Sequence, residues 1–187
     1  MRSFEWWLTC FSFAALLWFG DSMLPTLQRL DHTPVVIVEN GFDKLDQKDL
    51  DEAHILLCSQ RKPCRQLAEA VYFESRGESI LGQKAVAHTI LNRVKAERWP
   101  NTVGGVINYR CNFSYTCDGS RKKGYREKDM HEQALIVAYE AIEGLSKDPT
   151  KGADHFIELS KVKDKPKWTR VYRKTVKIGN HTFYAST

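Results

Sequence analysis

Apolar and polar positions change their rhythm several times along the 187 residues. Residues 6–20 (WWLTCFSFAALLWFG) are apolar without a helical period, so they do not read as one face of an amphipathic helix. Residues 21–55 mix Pro25, Pro34, Gly41 and many aspartates around the short β-like run Val35 to Val38, a composition that predicts a tether with little core of its own. Helical spacing then takes over. Leu67, Val71 and Glu74 share a face at i, i+4 and i+7 of a helix over 65–75 that ends at Gly77. A second helix, capped by Ser79 or a neighbour, carries Val86, Ile90 and Val94 and stops at Trp99-Pro100. A third opens on the capping-box spacing Asp129…Glu132 and runs through Ala134, Leu135, Ala138, Ile142 and Leu145 to the Asp148-Pro149 turn. At the end the period drops to two: residues 175–178, the two-residue turn Gly179-Asn180 and residues 181–184 predict a β-hairpin. The expected fold class is mainly α with a small C-terminal β-hairpin.

The chain suffices for one domain with a real core. Its expected organisation is a signal anchor or signal peptide at 1–20, a tether at 21–55 and a catalytic domain at 56–187. The apolar run is short for a full span, which needs about 20 residues, and it has the layout of an export signal behind Arg2 and Glu5. Trp18, Phe19 and Gly20 lead directly into Asp21 without a pair of small residues at cleavage spacing, which favours an uncleaved anchor. The expected location is therefore outside the cytoplasmic membrane, held to it and facing the cell wall or periplasm.

The formal charge of +5 is uneven, with 4 basic against 9 acidic groups in residues 1–60 and a basic excess thereafter. A basic working domain suits a polyanion. Nucleic acid is excluded by the export signal and by the lack of aromatic-basic interleaving, leaving an anionic envelope. Of five cysteines, Cys10 lies in the apolar run, and Cys58, Cys64, Cys111 and Cys117 lie beyond it. Four cysteines behind an export signal fit two disulfides, most simply Cys58 with Cys64 and Cys111 with Cys117. Zinc sites favour closer spacing, and free buried thiols are the other alternative.

Chemistry concentrates in residues 70–83, AVYFESRGESILGQ. A glutamate on an apolar helical face loses hydration of its charged form, which raises its pKa and suits it to donate a proton. Glu74 is that candidate, and Glu78, beyond Gly77, is a secondary one. The competing reading is a structural ion pair of Glu74 with Arg76 or Arg93.

The same run, continued by AVAHTILNRVKAERWPNTVGGVI, NFSYTCDG, DPTKGADHF and IGNHTFY, resembles the SleB/CwlJ family of cell-wall hydrolases over roughly residues 65–184. The resemblance implies a reduced lysozyme-like α+β catalytic domain acting on peptidoglycan, with Glu74 as the acid. It further implies lytic transglycosylation, in which a single carboxyl serves as acid and then base and the sugar's own hydroxyl replaces water. Within the matching segments, Gln83, Asn92, Asn112, Ser114 and Tyr115 are candidates to bind acetamido and hydroxyl groups. His155 and His181 are candidates to line the groove or orient the acid, and Tyr72, Tyr115 and Trp168 to stack on sugar faces. Helix-end bonding and packing are the alternatives for each. The chain departs from the family pattern in Phe73 and Ser75 beside Glu74, and in an insertion-like basic segment, Arg121 to Arg126.

Two rivals remain from other classes. An N-acetylmuramoyl-L-alanine amidase using metal would need a site assembled from scattered histidines, since no HExxH occurs. A non-catalytic peptidoglycan-binding protein would use only the basic surface. The expected partners are peptidoglycan and, through residues 1–20, the cytoplasmic membrane, for a monomer without a metal or cofactor.

Overall fold

Asp46 opens the part of the chain that the computed structural model describes, residues 46–186. Its side chain accepts a hydrogen bond from the Asp49 amide, 2.9 Å away, and so caps α1 (Gln47–Gln60). The boundary expected at residue 55 falls inside this helix. Its residues are mostly exposed and its apolar stripe is thin, which is why it reads as tether, yet α1 packs on the later helices Lys62–Ser75 and Lys128–Ile142. The apolar run at 6–20 and most of the expected tether lie outside the described residues.

Arg61, in an extended conformation, breaks the chain between α1 and α2 (Lys62–Ser75), whose second position is Pro63, where a missing amide costs nothing. A disulfide between Cys58 and Cys64 spans this corner, and a second joins Cys111 and Cys117. The pairing expected from the cysteine count is the one found. Helix α3 (Ile80–Lys95) begins where the Ser79 hydroxyl accepts from the Gly82 amide. A short α4 (Val103–Ile107) and a series of 3-10 turns over 109–123 follow, none of which the apolar period announces.

Helix α5 (Lys128–Ile142) starts one residue before the expected Asp129 cap, with Glu127 at the N-cap position and no side-chain cap bond. A tertiary contact moves the start. The buried Tyr72 hydroxyl accepts from the amides of Arg126 (2.9 Å) and Glu127 (3.3 Å) and donates to the Glu127 carboxylate, fixing the chain just ahead of the helix. Leu145 lies past the helix end and is exposed.

Helices α2, α3 and α5 enclose the main core, in which Leu67, Val71, Val86, Ile90 and Val137 are fully buried. Each such side chain contributes roughly 1.5–3 kcal/mol of hydrophobic stabilisation. Against the N-terminal half of α3 lies a three-stranded antiparallel sheet of order β1-β3-β2, made of β1 (His155–Ile157), β2 (Arg173–Ile178) and β3 (His181–Ala185). The expected hairpin is β2 and β3; β1 is added beside it, and a short α6 (Trp168–Val171) precedes β2. Ala85 of α3, Ala153, Ile178 and Phe183 form a second apolar cluster under the sheet.

The hairpin turn is placed by a contact across the chain. Glu78, between α2 and α3, accepts hydrogen bonds from the Asn180 amide (3.3 Å) and from Asn180 Nδ2 (2.8 Å). Gly179 has φ +56°, and a Cβ there would fall 1.8 Å from Glu78 Oε2. Gly179→Ala is therefore expected to cost about 1–3 kcal/mol through backbone strain and displacement of that carboxylate. Denaturant unfolding measures it; a loss below 0.5 kcal/mol would show that the turn is not held this way.

Candidate active site

Glu74 is the penultimate residue of α2, and the face that buries Leu67 and Val71 delivers its half-buried carboxyl to the edge of the core. Burial pushes its pKa from 4.5 up to about 7. The Arg93 guanidinium opposes this rise, the Asp118 carboxylate adds to it and Lys161 opposes it more weakly. A carboxylate at a helix C-terminus also faces the negative end of the helix dipole. Among the described residues no cation lies within 4.0 Å of Glu74, so the structural ion pair is not what occupies it. Arg76 instead pairs with Glu127 at 3.5 Å.

Arg93 is buried, with 6% exposure. Its guanidinium lies over Trp99 at 4.5 Å and Phe113 at 5.3 Å, while Nε donates to the Asp154 carbonyl at 2.6 Å. Desolvation lowers its pKa to about 10, still well above neutrality, so it remains a fixed positive charge behind the acid.

Two clefts meet at Phe73 and Arg76. The first, about 330 Å³, holds Glu74 together with Ser75, Glu78, Glu158, Lys161, Asn180 and His181. The second, also about 330 Å³, is lined by Tyr72, Ser114, Tyr115, Asp118, Ser120, Lys123, Gly124 and Arg126. Phe73 stacks on Tyr115 with centroids 4.6 Å apart and planes at 12°, forming an aromatic ridge between the two.

The expected site residues divide between these places. Glu74, Glu78 and His181 share the first cleft; Ser114 and Tyr115 line the second. Burial lowers the pKa of His181, whose Nδ1 is 3.8 Å from Glu78 Oε1, so it is neutral near pH 7. Gln83 is buried beneath, donating to the Glu78 carbonyl at 3.2 Å. Asn92 bonds Asp148 and the Ala153 carbonyl, each at 2.9 Å, which secures the 148–153 loop. Asn112 is exposed and lines neither cleft. His155 lines neither one; it sits in a separate hollow of about 200 Å³ with Arg98, Trp99, Tyr109 and Tyr172, and its Nδ1 is 3.0 Å from Asp154. Trp168 packs there too, with its ring 5.1 Å from His155. Sequence patterns did not single out Glu158 or Lys161 and marked Asn180 only as a turn residue; all three come from the sheet side of the cleft.

A carboxyl that titrates near neutrality in a polar groove, flanked by an aromatic ridge, can donate a proton to a bound sugar oxygen and take one back. The family model described as Cell Wall Hydrolase matches residues 77–184, and the chain belongs to that family. The match begins three residues beyond Glu74.

Among curated proteins, the spore cortex-lytic enzyme of Bacillus cereus is 42% identical over 117 residues, covering 63% of this chain and 42% of that protein. The spore cortex-lytic enzyme of Bacillus subtilis is 36% identical over 119 residues, or 64% of this chain and 36% of that protein. The chain thus spans about two fifths of the length of these curated relatives. The solved catalytic domain of the germination-specific lytic transglycosylase SleB from Bacillus anthracis superposes with a TM-score of 0.54 at 37% identity. That likeness covers 66% of this chain and 95% of the solved domain. The expected mainly helical fold with a small C-terminal sheet is the one shared.

Proposed function

We propose that this protein cleaves the glycan strand of peptidoglycan as a lytic transglycosylase, with Glu74 serving as acid and then as base. The observation that carries the reading is the state of Glu74, a cleft carboxyl with a pKa of about 7 and no ion-pair partner within reach among the described residues. The likeness to a solved lytic transglycosylase domain at 37% identity supports it.

In the first step the protonated carboxyl gives its proton to the glycosidic oxygen. The C1–O bond breaks, its electron pair leaves with that oxygen, and C1 acquires oxocarbenium character. The resulting carboxylate stabilises the cation and then accepts the proton of the muramic acid C6 hydroxyl as that oxygen attacks C1. The carboxyl ends as it began, and the product carries a 1,6-anhydro ring. One titrating group suffices, because no water needs activating.

Digestion of purified peptidoglycan followed by mass spectrometry tests the reading. Anhydromuramic ends are expected. Reducing muramic ends would mean hydrolysis by water instead, and free stem peptides with intact glycan would replace the reading by the amidase alternative. Intact wall polymer that nevertheless binds the protein would leave only a non-catalytic binding protein.

Export and membrane tethering are part of the same proposal. The two disulfides support an oxidising compartment, and the apolar run at 6–20 supports a tether to the cytoplasmic membrane. Among the described residues no helix is long and apolar enough to cross a membrane.

A further inference from the structure

The two clefts that meet at Phe73 differ in charge. Around Glu74, Arg76 and Lys161 are balanced by Glu78 and Glu158. Beyond the aromatic ridge, Arg76, Lys123 and Arg126 face a single carboxylate, Asp118, which is already engaged in accepting from the Ser120 amide at 2.8 Å. Among the described residues neither Lys123 nor Arg126 has a carboxylate within 4.0 Å, whereas other cations around the groove are paired: Arg76 with Glu127, Arg121 with Glu69, Lys161 with Glu158.

The basic segment is also held in place. At one end, Arg121 places its fork on Glu69, at 2.9 and 3.0 Å, and reaches Asn108 Oδ1 at 3.0 Å. At the other end the Tyr72 hydroxyl accepts from the amides of residues 126 and 127. Tyr72 and Glu69 both belong to α2, the helix that carries Glu74. Both ends of the basic segment are thus tied to the helix that carries the acid, so its backbone is positioned before any ligand arrives, which lowers the cost of binding.

From this geometry we infer that the Lys123/Arg126 cleft binds carboxylates of the peptide stems carried by the glycan strand, so that the protein selects stem-bearing strands over stripped ones. The inference rests on the glycan-cleaving reading above and names its substrate class. A stem hangs from the lactyl group of muramic acid, beside the glycan backbone, and presents free carboxylates. A strand whose sugar lies at Glu74 can place a neighbouring stem across the Phe73–Tyr115 ridge.

The test compares intact peptidoglycan with the same material stripped of stems by an N-acetylmuramoyl-L-alanine amidase. Wild type is expected to release ends from intact strands about tenfold faster at limiting substrate, a difference that electrostatic complementarity of this kind supports. In Lys123→Ala/Arg126→Ala the preference should fall below about threefold, with an unchanged melting temperature showing that the fold persists. Equal cleavage of both substrates by wild type, or an undiminished preference in the variant, overturns the inference while leaving glycan cleavage standing. Co-sedimentation of Glu74→Gln with the two materials separates the remaining cases. If wild type cleaves neither material, preferential sedimentation of the variant on intact strands overturns the proposed reaction and supports the stem site. If wild type cleaves neither and the variant shows no preference in sedimentation, both are overturned.

Discussion

Glu74→Gln is expected to abolish glycan cleavage and to stabilise the fold above neutral pH. The loss of activity should be at least about 10³-fold, since the amide cannot donate the proton that departs in the first step. The gain in stability follows from the same pKa. The native carboxyl titrates at about 7 against 4.5 for the ordinary group, so between those values the native state holds a proton that the unfolded chain has released. Stability therefore falls as pH rises through this window, and above pH 7 the full cost of ionising Glu74 in place is present, about 3 kcal/mol. Glutamine carries no such cost. Denaturant unfolding at pH 4 should give nearly equal stabilities for the two proteins, and at pH 8 an advantage of about 3 kcal/mol for the variant. A difference that does not change with pH would remove the raised pKa from the account. An active variant would remove Glu74 from the chemistry.

Asp154→Ala is expected to cost about 3–5 kcal/mol, the range for removing one partner of a buried charge network. Asp154 is 5% exposed. Its carboxylate accepts from the Ser186 amide at 2.9 Å and the Ser186 hydroxyl at 2.5 Å, and pairs with Arg98 at 2.6 Å and His155 at 3.0 Å. Despite burial, the bonds from His155 and Ser186 hold its pKa well below the usual carboxylate range. A depressed carboxylate contributes stability that is present above about pH 4 and is lost as pH falls further. Wild type should therefore weaken below pH 4 while the variant, already weakened, changes less. Because Glu74 costs stability above pH 4.5 and Asp154 below about pH 4, these two groups together place the stability maximum near pH 4. Chemical denaturation across pH 2–8 reads both slopes, and a variant as stable as wild type at pH 7 would discard the network.

Much of this molecule was legible in the order of its residues. Helices α2, α3 and α5 showed themselves because their buried faces recur at helical spacing, and the hairpin because Gly179-Asn180 interrupts an alternating run. What stayed hidden depends on partners distant in sequence. The start of α5 is set by Tyr72, some 55 positions away, and not by the local capping pattern. Glu78 read as a second acid because it follows Glu74 by four residues, but its carboxylate bonds Asn180, 102 positions on. His155 lies in a matching motif, yet β1 pairs with β3 and turns it toward Trp99, Trp168 and Tyr172. Conversely, Glu74 was readable because burial on a helix face is a local property, and the disulfides because an even cysteine count leaves few pairings.

The order of the sheet bears on how the protein behaves in a crowd. β3, whose residues are all buried, lies in the middle, so among the described residues both outer strands leave backbone groups without a neighbour. One of them, β1, is three residues long and offers little to extend, and the other, β2, carries Arg173, Lys174 and Lys177 along its exposed margin. A strand from a second molecule would have to align its own lysines and arginine against these charges. Such margins resist edge-to-edge aggregation, so copies of the protein can stand close together and stay dispersed.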